Sequence, residues 1–172
     1  MSTSLAKRAL RALRHAGCGV WTARRRFPEA TMAALEARIA AGEIHHRGEI
    51  RLAIEAALDP WAIWRGQTPR ERALEVFGTL RVWDTAGNNG VLIYVLLADR
   101  AVEIVADRAA SEAIDLPVWQ QICDALAAAY RADEFAGGTL AAIDRINGAL
   151  AAAFPAAGGD NPDELPNRPR IL

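Results

Sequence analysis

The sequence predicts an α/β fold: a three-layer sandwich in which a small mixed β-sheet carries helices on both faces. Two observations in one stretch carry most of that expectation. Val91 to Ala98 is a continuous run of eight apolar residues, rich in β-branched and aromatic types, which is the pattern of a strand buried on both faces. Asp99 and Arg100 interrupt the run, and Ala101 to Ala106 resumes it with Val102, Ile104 and Val105 as β formers, so the pair reads as a tight β-hairpin. A third observation lies upstream, where Thr68-Pro69-Arg70-Glu71 is a capping box with proline at the first helical position. A strand buried on both faces needs cover on both sides, and helices supply it.

Length and composition suit one domain with a single core, at 172 residues, 52% hydrophobic and 24% charged. The net charge of −1 conceals a division by position. Residues 1–26 hold Lys7, Arg8, Arg11, Arg14, Arg24, Arg25 and Arg26 with no acid, giving +7, and the remainder carries −8. An acidic body lacks the basic face that phosphate binding requires, so no nucleic acid is expected as the main partner. Cys18 and Cys123 form no C-x-x-C motif. Cys123, four residues after Trp119 on an apolar helical face, reads as a core thiol in a reduced compartment. Residues 1–26 offer no apolar signal core, and no run approaches the ~20 residues of a spanning helix. A cytoplasmic location, at most peripheral at the membrane, is therefore expected.

The stretch from Trp83 to Arg108, W-D-T-x-x-N-N-G-V-L-I-Y-x-L-L-A-D-R-x-V-E-I-V-A-D-R, resembles the TPM domain family. The resemblance runs from about Phe27 to Pro155 and is most specific in its middle. It implies an α/β domain with a strand after the first helix, and for some members acid phosphatase activity and calcium binding. Three segments follow: a basic amphipathic N-terminal arm over 1–26, a TPM-like α/β domain over 27–155, and a Pro/Gly-rich C-terminal tail over 156–172.

Taken in order, Pro28 opens a helix with Met32, Leu35 and Ile39 on one stripe, and Gly42 ends it. His45 and His46 fall in a loop expected to be solvated. Ile50 to Leu58 fits a strand by alternation and a helix by spacing; the family resemblance implies the strand. Asp59 to Gln67 reads as a loop carrying Trp61 and Trp64. The helix from Thr68 is expected to turn Leu74, Phe77 and Leu80 inward and to end near Arg81. Strand, crossover helix and buried strand make a βαβ unit, with Ile50 parallel to Val91. An irregular segment follows Arg108. Pro117 then opens a helix with Trp119, Ile122, Cys123, Leu126 and Tyr130 on one face. The last helix is expected to start at an Asp133 cap, to pack closely at Gly137 and Gly138, and to carry Ile143, Ile146, Leu150 and Phe154 to Pro155. The tail either floats free or docks, since N-P-D-E-L-P-N-R-P looks like the ending of a bacterial TPM subgroup.

The familiar catalytic motifs are missing: no G-x-S-x-G elbow, Walker loop or H-E-x-x-H occurs, and Gly17-Cys18-Gly19 lacks a dinucleotide site's third glycine. The chemistry-bearing residues gather at one sheet end. A two-residue hairpin loop pairs Ala98 with Ala101, Leu92 with Asp107 and Val91 with Arg108, bringing Asp84, Asn88 and Asn89 to the end that holds Asp107. The parallel strand adds Glu49. Glu49, Asp84, Asn88, Asn89 and Asp107 suit a hard cation, Ca²⁺ or Mg²⁺, with Arg81 and Arg108 as anion contacts. Family members commonly have Asp directly before Asn-Gly-Val; Asn88 stands there in this chain, one ligand charge fewer. The same residues fit a structural role: Asn88 and Asn89 suit a left-handed turn, and Asp107 can pair an arginine. The resemblance leaves two functions, a non-catalytic module binding an unknown protein partner in membrane or envelope maintenance, and a weak metal-dependent phosphatase. Phosphoryl transfer wants a nucleophile or metal-bound water beside positive charge, and the two arginines meet half of that requirement.

At 100° per residue, Ala16, Ala9, Leu13, Ala6 and Leu10 fall within about 140° of Leu5, while Arg14, Lys7, Arg11, His15 and Arg8 occupy the opposite arc. Such a helix can lie on an anionic membrane surface, with Trp21 and Arg24 to Arg26 as further anchors. It can equally pack Leu5, Leu10 and Leu13 on its own acidic domain.

Overall fold

The computed structural model describes residues 5–156 and 162–172. Four strands form a mixed sheet in the order β3-β2-β1-β4: β1 (Glu49–Glu55), β2 (Gly90–Leu96), β3 (Ala101–Ala106) and β4 (Arg170–Ile171). β2 is buried along its whole length, as its apolar run predicts. It pairs parallel with β1 and antiparallel with β3. Between β1 and β2 the chain passes through α4 (Pro60–Arg65) and α5 (Pro69–Thr79), which completes the expected βαβ unit.

Successive residues of β1 and β2 serve opposite cores. Ile50, Leu52, Ile54, Val91, Ile93 and Val95 pack with α3 (Glu29–Glu43), α7 (Leu116–Arg131) and α8 (Phe135–Ala153). Ala53, Leu92, Tyr94 and Leu96 pack on the other side with Ile63 of α4 and with Ala73 and Val76 of α5. The sandwich therefore has helices on both faces.

The hairpin register differs from the expected one. Pairing runs from Leu96↔Ala101 to Val91↔Ala106, and a four-residue turn carries Arg100 at φ 50° with its N–H on Leu97 O at 3.1 Å. A two-residue loop favours glycine or asparagine in left-handed backbone, which Asp99-Arg100 does not supply. A shift of two residues keeps every side chain on its face, and it brings the Asp107 N–H to Gly90 O at 2.8 Å instead of setting Asp107 opposite Leu92.

Several helical details also depart from expectation. The presumed loop carrying Trp61 and Trp64 is α4, capped by Asp59 Oδ1 accepting from the N–H groups of Trp61 and Ala62 at 2.9 and 3.0 Å and closed by Gly66 at φ 78°. α5 starts at the capping box, with Thr68 N–H to Glu71 at 2.7 Å and Glu71 N–H to Thr68 Oγ1 at 3.2 Å. Ala73 and Val76 are its buried residues, and Phe77 and Leu80 pack half-buried on the same core as expected, while Leu74 is exposed. Arg72 reaches Glu55 of β1 with two bonds of 2.9 Å. The segment after Asp107 forms a short helix, α6 (Arg108–Ala113), with Asp107 Oδ1 accepting from Arg108 N–H at 2.8 Å. α8 has Glu134, not Asp133, at its N-cap; Asp133 sits at φ 61° and pairs Arg26 at 3.0 Å. The close α7–α8 approach occurs at Gly138, where a Cβ would lie 2.5 Å from that of Ala129. His46 is buried, not solvated, with Nδ1 3.0 Å from Gly48 O and Nε2 3.0 Å from Asn147 Oδ1. Burial lowers its pKa.

Both ends of the chain dock on the domain. Residues 162–172 run along β1: Arg170 and Ile171 pair with Ala53 and Ile54, Leu165 is buried, and the Arg51 guanidinium donates to the carbonyls of Pro166 and, at 2.6 Å, Arg168. All seven residues of E-I-R-L-A-I-E are buried although alternation alone would leave Glu49, Arg51 and Glu55 in water: the C-terminal segment covers Glu49 and Arg51, and Arg72 and the Tyr94 hydroxyl enclose Glu55.

At the N-terminus, α1 (Leu5–Ala16) and α2 (Val20–Arg26) precede the domain. α1 docks by its basic face, not by the leucines. Asp99, in the hairpin turn, accepts from Arg11 Nε at 2.9 Å and from a second Arg11 nitrogen at 2.7 Å. His15 is buried, its Nε2 3.1 Å from Asp99 and its Nδ1 accepting Leu58 N–H at 3.0 Å. Burial pushes the Asp99 pKa up, but the Arg11 and His15 contacts outweigh it and hold the carboxyl below its usual value. Leu10 and Leu13 face solvent, which overturns the expectation that they pack on the domain. The ion pair of Arg11 with the half-buried Asp99, together with the His15 contact, outcompetes a stripe that is mostly alanine.

Candidate functional site

The parallel register sets Glu49 of β1 opposite Gly90 of β2, so the sheet end expected to hold the site does gather Glu49, Asn88, Asn89 and Asp107. Asn88 takes the left-handed backbone (φ 49°), and its Oδ1 accepts from Arg108 at 3.3 Å. Asn89 is buried. Its amide Nδ2 donates to Arg47 O at 2.6 Å and its backbone O receives Glu49 N–H at 3.4 Å. Among the described residues, Asn89 Oδ1 and Asp107 Oδ2 are buried without a hydrogen-bond partner. Two acceptors shut from water in this way are where an ion or water would be held.

Asp84 and Arg81 stand apart. Both are exposed, on a turn closed by Asp84 N–H to Arg81 O at 2.9 Å, and among the described residues no hydrogen bond or ion pair links Asp84 to the other four. Arg108 stays close through Asn88.

The tightest carboxylate group is one that sequence reasoning reached only in part. Glu43, Glu49 and Asp163 each present an oxygen, and these oxygens lie within 4.8 Å of one another. Glu43 closes α3, Glu49 opens β1, and Asp163 comes from the docked C-terminal segment. Glu43 Oε1 accepts Ile50 N–H at 3.1 Å, and Glu49 Oε2 accepts Leu165 N–H at 3.2 Å. Burial pushes the Glu43 carboxyl up to about 8; the Ile50 N–H opposes this, and the charges of Glu49 and Asp163 add to it. Burial likewise pushes Glu49 up to about 7 against the Leu165 N–H. Glu43 and Asp163 were missed because one ends a helix and the other falls in a presumed tail. The available cues were two acids six residues apart across a loop and an N-P-D-E tail motif.

These donors fit a hard cation. Such a charge would offset the cost of burying two ionised carboxylates, which is the main reason both are raised. Were a cation bound, Glu43, Glu49 and Asp163 are the carboxylates placed to hold it.

Comparison with known proteins bears on the domain as a whole. No curated protein sequence matches the chain. The NMR structure of BA42 protein from the psychrophilic bacterium Bizionia argentinensis is similar to it, with 28% identity and a TM-score of 0.74 over 83% of this chain and 93% of that one. The family model described as the TPM domain matches residues 24–149, which hold β1, β2, β3 and the site's Glu43, Glu49, Asn88, Asn89 and Asp107. On the strength of that match, the chain belongs to the TPM domain family.

Proposed function

We propose that this TPM domain is a non-catalytic interaction module whose C-terminal segment is stapled to its body by a divalent cation, Ca²⁺ or Mg²⁺. The observation that carries this reading is the convergence of Asp163 of that segment with the two buried, proton-retaining glutamates Glu43 and Glu49. An ion there adds to the anchors already formed by Leu165 N–H and by the Arg51 guanidinium, and it sets the shape of the surface offered to a protein partner. Glu43 and Glu49 are each aimed at backbone N–H groups. That geometry positions ligands and does not activate a nucleophile.

Titration of the full chain with Ca²⁺ and Mg²⁺, followed by amide NMR, tests the proposal. The Ile50 and Leu165 amides are expected to shift, and Glu49→Gln with Asp163→Asn is expected to weaken binding at least tenfold. Shifts confined to Asn88, Asn89 and Asp107 would relocate the ion to the loop, and no shift from either ion ends the cation reading. Hydrolysis of a generic phosphomonoester that needs the metal and is lost in Glu49→Gln would make the protein a phosphatase instead.

A further inference from the structure

The orientation of α1 leaves an apolar face outward, and its chemistry identifies what covers it. Arg8, Arg11, Ala12 and His15 are turned toward the domain, so the opposite arc, with Ala6, Leu10 and Leu13, faces out. Leu10 is 62% exposed and Leu13 is 72% exposed. A surface helix of a water-soluble protein ordinarily does the reverse. The face continues onto α4 through a groove lined by Ala6, Ala9, Pro60, Ile63 and Trp64. There Trp61 and Trp64, one helical turn apart, are 63% and 59% exposed.

Basic groups surround this surface. Lys7 and Arg14 are exposed on α1, and Arg65 lies with its guanidinium 5.8 Å from the Trp61 ring centre. Asp99 is enclosed beneath Arg11 and His15, and Asp59 caps α4. We infer that the α1–α4 face, with Leu10, Leu13, Trp61 and Trp64 inserted and Lys7, Arg14 and Arg65 at the headgroups, docks the protein reversibly on an anionic lipid surface.

Three features favour lipid over other occupants. Exposed tryptophans ringed by lysine and arginine suit the interface between headgroups and acyl chains. A second copy would bring two basic-rimmed surfaces together across a twofold axis, which repels. Among the described residues no helix is long and apolar enough to cross a membrane, so a shallow attachment matches the small apolar area.

Co-sedimentation of the full chain with vesicles of phosphatidylglycerol and phosphatidylcholine, and with phosphatidylcholine alone, tests the inference. Binding to the anionic vesicles is expected, falling with added salt and at least tenfold weaker in Leu10→Glu/Leu13→Glu and in Trp64→Ala. Leu116→Glu, an equally exposed leucine on α7, is the control and should bind as the parent does. Because the changed leucines are exposed, far-UV circular dichroism should report an unchanged fold. Equal binding to neutral vesicles, or undiminished binding of the Leu10→Glu/Leu13→Glu variant, overturns the inference. Self-association that this variant abolishes, without vesicle binding, overturns it too and assigns the face to a second copy.

Discussion

Replacing Gly90 with alanine is expected to destabilise the protein by about 3 kcal/mol or more, near the upper end for single overpacking substitutions. A Cβ at Gly90 would lie 2.0 Å from Val82 O and 3.1 Å from Val82 Cγ1. The obstacle is backbone, not the end of a flexible side chain. Neither side can yield: β2 is bonded to β1 and β3, and Val82 is buried with its N–H on Phe77 O at 3.1 Å. Gly78 is the matched control. It lies in α5 with nothing within 4 Å of its Cβ position, so Gly78→Ala should be neutral or stabilising by up to ~1 kcal/mol. Urea unfolding of the two variants distinguishes them. A Gly90→Ala midpoint close to that of the parent would mean that the loop after α5 does not pin the start of β2.

The apparent affinity for Ca²⁺ is expected to rise at least tenfold between pH 6 and pH 8.5, since each proton displaced on binding makes the affinity climb by about tenfold per pH unit until the group is ionised. Glu43 near 8 and Glu49 near 7 hold their protons at pH 6, and a cation must displace them. Calorimetry in buffers of different ionisation enthalpy should register that proton release, and a pH-independent affinity without release would contradict it. Stability without the ion follows the opposite course. Both folded pKa values lie above the ordinary glutamate value of 4.5, so the native state binds more protons than the unfolded chain between that value and about 8. The contribution is full below pH 4.5 and is lost as pH rises through 7 to 8. For Glu43 this is of the order of 2 kcal/mol after allowance for relaxation of a partly buried group. Glu43→Gln keeps a neutral side chain throughout, so it should remove most of the decline and be more stable than the parent at pH 8.5.

Local chemistry carries much of this fold, and where it does, the sequence is enough. A strand buried on two faces that has no polar partners to meet is apolar throughout, which made β2 legible residue by residue. The Thr68 capping box, the Trp119 to Tyr130 stripe and the parallel placement of Glu49 beside Gly90 likewise follow from periodicity, capping and the handedness of a βαβ unit. The family pattern added the choice of strand at Ile50, where spacing alone was ambiguous.

Elsewhere the outcome rests on contacts between residues far apart in the chain, and no local pattern encodes those. β1 alternates like a strand with one wet face, yet Arg51 is enclosed by carbonyls more than a hundred positions away. Asp163 becomes a neighbour of Glu43 and Glu49 only because the C-terminal segment lies along β1. The leucines of α1 face outward because Asp99, in a turn some 88 positions distant, captures Arg11. A helical wheel separates two faces of a helix, but which face turns inward depends on the partner that meets it. Here the half-buried Asp99 carboxylate attracts the basic face more strongly than water repels a few leucines.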